Sequence, residues 1–353
     1  MKFNFRHISH KDIIVLDDGY SNINFKDQSY ELINYNSINI FCAFKTIIKY
    51  IFEKNSLSLR ETYKQNLYRM YSPKLAISHH INKRGVECKY LCPEIKIVIY
   101  QFTYSRNLKF QDVLGRFKKK KIKSPVDYFF VYHQNDKISL DFKKSNIFII
   151  GSLKNNEVKS KILREEKNTL LYISEFNPRY PYSKNYYKIE KKFIKILYEF
   201  CKLNNKKFNI ALRSNRKDKK INKKEELEYY GKMIGNNFNI SPLDSYDFAS
   251  KSEVKVCISS NLGIELLSRG QKILFVLLKE QEGGVYPYLP RNEEIFIQRK
   301  IDKKKIFYKL KKIYSLKKKT WLNSIKLKKN KIKFDPGNQL FKRKIKKIIE
   351  NSK

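Results

Sequence analysis

Ser259, Ser260 and Asn261, followed by Gly263 and Glu265, stand between two short apolar runs at 254–258 and 273–278. Hydroxyls, an amide and the unsatisfied N–H groups of a helix start form an anion site, and the helix dipole adds to it. Phosphate is the natural guest. Glu265, one turn further in, is placed to reach a ribose hydroxyl. The residue types leave a second role open, because Ser260 or Asn261 would serve equally well as the cap of a purely structural helix.

Two further sets carry chemistry. Ser174, Glu175 and Asn177 follow the apolar run LLYI, and Arg213 and Arg216 follow FNIAL. Guanidinium groups beside a serine turn suit a nucleotide monophosphate or diphosphate, although Arg213 is equally readable as an exposed charge. Nearer the N-terminus stand Asp17 and Asp18, His79 and His80, and Gln101, Tyr104 and Arg106. This set has bases and hydrogen-bond donors without a phosphate loop, so it suits an acceptor. His79, His80 and Asp18 are the candidates to take a proton from an acceptor hydroxyl. A buried, satisfied histidine next to a surface one would give the same sequence. No Ser–His–Asp or Cys–His arrangement can be assembled from spacing, and GxxxxGK[ST] and GxGxxG are both missing, which argues against a P-loop kinase and a dinucleotide dehydrogenase.

The elements that must position these groups alternate between strand and helix. Apolar runs at 170–174, 208–212, 238–240, 254–258 and 273–278 predict strands. Residues 223–234, 245–250 and a stripe of Ile189, Phe193, Ile196, Leu197 and Phe200 predict helices. In the first half, strands are expected at 13–16, 75–78, 95–100, 128–132 and 147–150, with helices at 37–53 and 59–71. Such alternation indicates an α/β protein with doubly wound parallel sheets, in which ligands bind beyond the carboxyl ends of the strands. The polar stretch 154–167 reads as a linker. The expected division is therefore 1–160, 161–320 and a basic helical tail at 321–353. Ile345, Ile348 and Ile349 give that tail an apolar stripe that calls for a docking surface, against the alternative of a solvated tail.

The chain has 353 residues, 41% of them apolar, enough for two cores. Its formal charge of +42 invites a polyanion-binding reading, but the excess is mostly lysine, in company with abundant Asn, Ile, Tyr and Phe, a pattern of AT-rich coding sequence. No nucleic-acid module is recognisable, and weak attraction to acidic lipid headgroups is the expected side effect. Five scattered cysteines without zinc-site partners read as buried thiols, so no metal is expected. With no long apolar run and no signal-peptide layout, the expected location is the cytoplasm, with peripheral contact at the inner membrane face.

The segment SSNLGIELLSRGQKILFV resembles the C-terminal signature of bacterial surface-carbohydrate transferases of the capsule and O-antigen type with the GT-B fold. IIVLDD, PKLAISHHINKRGVECKYLCPEIKIVIYQF, DYFFVYHQND and IFIIGSLKNN are similar to the N-terminal domain of that group. The resemblance implies two Rossmann-like domains facing a cleft. A nucleotide sugar, as substrate with no separate cofactor, would lie on the C-terminal domain through Ser259, Ser260 and Glu265. A glycan or lipid-linked acceptor would lie on the N-terminal one. The chain departs from the group in having Gln101-Phe-Thr after the 95–100 strand and Arg213-Ser-Asn-Arg after 208–212. The activity implied is glycosyl transfer, with Arg213 and the Ser259–Asn261 helix start neutralising the departing nucleotide. The alternatives are a nucleotide-sugar epimerase of the same layout and a non-catalytic basic protein that binds polyanions.

Overall fold

Short runs of β-branched and aromatic residues, separated by amphipathic helices, build two parallel sheets in a computed structural model. It describes residues 2–17, 29–33, 35–53, 57–79, 83–101, 126–133, 146–157, 165–176, 184–215, 222–240, 245–258, 260–277, 289, 294–325 and 333–352. The chain divides into two units: 1–103, 107–157 and 335–353 form unit 1, and 104–106 with 158–334 form unit 2.

Unit 1 contains β1 (Lys2–Asn4), β2 (Ile13–Val15), β3 (Tyr30–Leu32), β4 (Ser37–Asn39), α1 (Ile40–Phe52), α2 (Leu59–Tyr71), β5 (Leu75–His79), α3 (Lys83–Leu91), β6 (Lys96–Tyr100), β7 (Tyr128–Val131), β8 (Ile147–Ile149) and α4 (Leu153–Glu157). Its main sheet has the order β3-β2-β5-β6-β7-β8, with every pairing parallel. Alternation along the strands sends side chains to two faces. Ile14, Leu16, Ala76, Ile97 and Ile99 face a core completed by Leu67, Tyr68, Val86 and Leu91. Ile13, Val15, Leu75, Ile77 and Val98 face the other core.

Unit 2 contains β9 (Glu166–Ile173), α5 (Lys184–Leu203), β10 (Lys207–Ala211), α6 (Lys223–Ile234), α7 (Ser245–Lys251), β11 (Ser252–Cys257), α8 (Asn261–Ser268), β12 (Ile273–Val276), β13 (Ile297–Gln298), α9 (Lys303–Ser315) and α10 (Lys318–Ser324). The strand order is β10-β9-β11-β12-β13, again parallel throughout. The last helix, α11 (Gln339–Glu350), belongs to unit 1, where Phe341, Ile345, Ile348 and Ile349 close the second core. The apolar stripe of the tail is therefore docked.

Several local expectations change. Residues 37–39 are strand, because they pair with β1 instead of extending α1. Residues 238–240 contribute one bridge, Asn209 with Asn239, and no strand. The proposed linker is ordered at both ends, by α4 and by β9, which starts at Glu166. α3 had no clear apolar stripe to announce it. All five cysteines are free and buried, and burial pushes the Cys42 thiol up to about 11.

The unit around α8 depends on one glycine. A Cβ on Gly263 would lie 2.4 Å from Cys257 Sγ and 2.9 Å from Phe275, so only a bare backbone lets α8 lie this close to β11 and β12. Gly263→Ala should destabilise unit 2 by roughly 1–3 kcal/mol, read as a lower urea midpoint; an unchanged midpoint would show that α8 can shift at no cost.

Candidate functional site

In each sheet the chain reverses its direction of growth once. β2 lies first, β3 is added on one side and β5 on the other; in unit 2, β10 and β11 flank β9 in the same way. Such switch points open a crevice at the carboxyl strand ends, where ligands of open α/β sheets bind. The candidate residues gather at these two places.

In unit 2 a cavity of about 160 Å³ is lined by Ser174 and Glu175 after β9, Leu212 and Arg213 after β10, Ser245 of α7, and Ser260 and Asn261 at the start of α8. Ser260 is the N-cap of α8, with extended backbone, yet its side chain makes no capping hydrogen bond. The side-chain cap that the sequence allowed for Ser260 is therefore not formed. Ser259 lies outside the described residues, as do Asn177 and Arg216. Glu265 sits one turn behind the cavity, buried, with its carboxylate accepting a hydrogen bond from the Tyr246 hydroxyl.

The wall of this cavity is held by a carboxylate that sequence reasoning missed. Glu226, fully buried on α6, accepts from the Ser174 hydroxyl and from the backbone N–H groups of Arg213 and Ser214, both at 2.8 Å. Ser174 Oγ also accepts from Tyr230 at 2.8 Å and from Phe176 N at 3.2 Å. A hydroxyl has one proton and two lone pairs, and all three are used here. Ser174 therefore positions the strand end instead of offering a ligand contact. Arg213 differs: its guanidinium reaches the Glu175 and Phe176 carbonyls at 3.4 and 3.5 Å, which aims a positive charge along the cavity wall. The signal for Glu226 was present in the sequence, since Glu226, Tyr230 and Ile234 repeat every four residues on one buried helix face.

In unit 1 the parallel register aligns Val15 with Ile77, which brings the residues two positions further on, Asp17 and His79, side by side. Asp17 is buried; its carboxylate accepts from Ser78 Oγ at 2.5 Å and from the His79 backbone N–H at 3.2 Å, and it contacts His79 Nδ1. A carboxylate accepts, so Nδ1 carries a proton, and in the neutral imidazole the lone pair falls on Nε2. Tyr100, at the end of β6, places its ring 6.4 Å from the imidazole, and its buried hydroxyl has no hydrogen-bond partner among the described residues. Burial, reinforced by the negative charge of Asp17, raises the tyrosine's pKa. Asp17 is the carboxylate that orients His79. Asp18, His80, Tyr104 and Arg106 lie outside the described residues. Gln101 is buried in the sheet, where its side chain accepts from Tyr132 N at 2.8 Å. Among the described residues no group of three or more His, Cys, Asp or Glu could hold a metal ion.

Two doubly wound parallel sheets, each with its polar groups at a switch point, define a GT-B-like α/β protein. The fold is shared with the UDP-GlcNAc 2-epimerase of Methanocaldococcus jannaschii (10% identity, 98% of this chain and 100% of that one, TM-score 0.58). It is shared too with the Neisseria meningitidis UDP-GlcNAc 2-epimerase solved with UDP-GlcNAc (9%, 99% and 100%, TM-score 0.54) and with Staphylococcus aureus MnaA solved with UDP (12%, 99% and 97%, TM-score 0.54). The profile of a family described as "putative O-antigen biosynthesis protein" matches residues 105–349, and the chain belongs to that family. No curated protein matches the chain by sequence. The family match contains the whole cavity of unit 2 and leaves Asp17 and His79 outside it.

Behind the cavity, Glu190 of α5 is buried and accepts from Tyr172 and Tyr229, each at 2.6 Å. Burial pushes its carboxyl up to about 7; the two hydroxyls oppose that rise, and the nearby carboxylates Glu175 and Glu226 add to it. Below pH 4.5 the group is protonated folded or unfolded, and its contribution to stability is intact. As pH rises to 7 the unfolded chain releases the proton first, so about 3 kcal/mol of stability is lost. Urea midpoints should therefore fall between pH 5 and pH 7.5, and Glu190→Gln should flatten that fall; a variant as pH-sensitive as the parent would rule Glu190 out as its source.

Proposed function

We propose that the protein is a glycosyltransferase of surface-polysaccharide assembly, which moves a sugar from a nucleotide donor to a glycan or lipid-linked acceptor. The observation that carries this reading is the Asp17–His79 pair at the switch point of unit 1. A histidine whose Nδ1 proton is fixed by a buried carboxylate has Nε2 as the base, the arrangement needed to take a proton from an acceptor hydroxyl as it attacks the sugar carbon. The buried Tyr100 hydroxyl beside it, which has no partner among the described residues, would be satisfied by a sugar hydroxyl.

On unit 2, Arg213, Ser260 and Asn261 with the α8 amides would receive the nucleotide phosphates, and Ser259 is assigned to the same loop. As the glycosidic bond breaks, negative charge grows on the phosphate oxygen. The fixed guanidinium and helix start stabilise that charge more than they stabilise the ground state. Glu265, held by Tyr246, is assigned to the ribose side, directly or by fixing the helix. The scheme requires no metal and no cofactor. His80 and Asp18 remain candidates to share the base's work. The same reading includes peripheral contact with an acidic membrane, where a lipid-linked acceptor would be found.

Epimerisation of a UDP-sugar is the second reading, favoured by correspondence over nearly the full length with proteins solved as UDP-GlcNAc 2-epimerases. Incubation with a UDP-sugar separates the two. A transferase releases UDP only when acceptor is added, whereas an epimerase yields an isomeric UDP-sugar without acceptor and without free UDP, an outcome that would sink the first reading.

Two variants test the residue roles. UDP at one hundred times its Kd should stabilise the protein by about 2.7 kcal/mol, and Arg213→Ala should abolish that shift at the same concentration. His79→Ala should keep the shift and lower kcat about 10²- to 10⁴-fold; full activity in this variant would remove the proposed base.

A further inference from the structure

The outer face of α1 is built to meet something apolar. The helix reads IFCAFKTIIKYIF. Cys42 and Thr46 point inward, where Asn66 of α2 donates to Thr46. At 100° per residue, Phe41, Phe44, Ile47, Ile48 and Ile51 share the opposite arc, and all are exposed, Phe44 at 67% and Ile51 at 69%. Phe52 at the end of the helix is 82% exposed. Phe3 and Phe5 add two more exposed rings on the segment of β1, which pairs with β4 immediately before the helix. A row of large apolar side chains on a two-layer surface helix is far more than the scattered apolar residues of an ordinary surface, and such patches mark contact with a partner or a membrane.

We infer that the exposed face of α1 is the surface by which the protein docks on an anionic lipid bilayer, Phe44 and Ile51 entering the boundary between headgroups and acyl chains. Charge decides between a bilayer and a second copy of the chain. α1 itself contains no carboxylate. Lys45 is exposed beside the apolar arc, and the first acidic residue after the helix, Glu53, is paired with Lys49 at 3.5 Å. The whole chain has a formal charge of +42. Two copies brought face to face would repel, whereas an acidic bilayer attracts the charge and solvates the apolar arc together. The helix is about 20 Å long, the size of an interfacial anchor. Among the described residues no helix is long and apolar enough to cross a membrane.

This surface rests on the peripheral-contact reading given above and names the element responsible for it. Trp321 is the chain's single tryptophan and is buried, so Phe44→Trp adds one exposed reporter over a constant background. Its emission should shift to the blue on addition of phosphatidylglycerol vesicles, and much less with phosphatidylcholine alone. The doubly substituted Phe44→Asp, Ile51→Asp protein should sediment with phosphatidylglycerol vesicles at least tenfold less than the parent, with its thermal midpoint and UDP response unchanged. If the double variant binds as the parent does, membrane contact stands and α1 is not its surface. If the parent ignores anionic vesicles, both ideas fall. If α1 substitution instead converts a dimer into a monomer by sedimentation velocity and no vesicle binding is seen, the occupant is a second copy and the membrane assignment is overturned.

Discussion

A parallel strand can be followed by another parallel strand only if the chain crosses back over the sheet, and this requirement organises each unit. Every crossover delivers the carboxyl end of a strand to the same edge, so polar residues distant in sequence meet there without any local motif to bring them together. Where the order of addition reverses, two crossovers leave in opposite directions and a crevice opens between them. Asp17 and His79 meet at that point in unit 1; Glu175, Arg213 and Ser260 meet at the corresponding point in unit 2. The meeting of these groups is a consequence of strand order, and the side chains themselves are ordinary ones.

What holds each crevice open is a buried carboxylate. Asp17 collects donors from Ser78 and His79, and Glu226 collects them from Ser174, Arg213 and Ser214. A buried carboxylate without partners would be expensive, and one surrounded by N–H and O–H donors is a strong local organiser. Neither acid needs to touch a substrate to matter. Removing Glu226 would strand the amides of the loop that carries Arg213, and the guanidinium would lose its direction along with them.

Much of this was legible in the sequence. The apolar run before Ser259, the glycine at 270 with its positive φ, and the exact match of α2 and α6 to their expected spans follow from periodicity and turn chemistry, which are local properties. The candidate site was legible to the extent that strand ends were: Arg213, Ser260 and Asn261 line one cavity, and each stands shortly after an apolar run. What escaped was set by register. The contact between Asp17 and His79 could not be read from spacing, because it follows from the pairing of Val15 with Ile77. Ser174 looked like a ligand because its three hydrogen-bond partners lie 2, 52 and 56 residues away. α3 escaped because its buried residues, among them Val86, Cys88 and Leu91, do not form a wide apolar stripe.

The second face of the unit 1 sheet is covered by α11, whose Phe341 packs edge-on against Phe130 at 5.0 Å between ring centroids. Strands that leave the ribosome within the first 150 residues therefore wait for a helix made almost two hundred residues later. During synthesis Ile13, Val15, Leu75 and Ile77 must stay uncovered, or be shielded by a chaperone, while all of unit 2 emerges and folds. The half of the molecule that begins first is the half that finishes last.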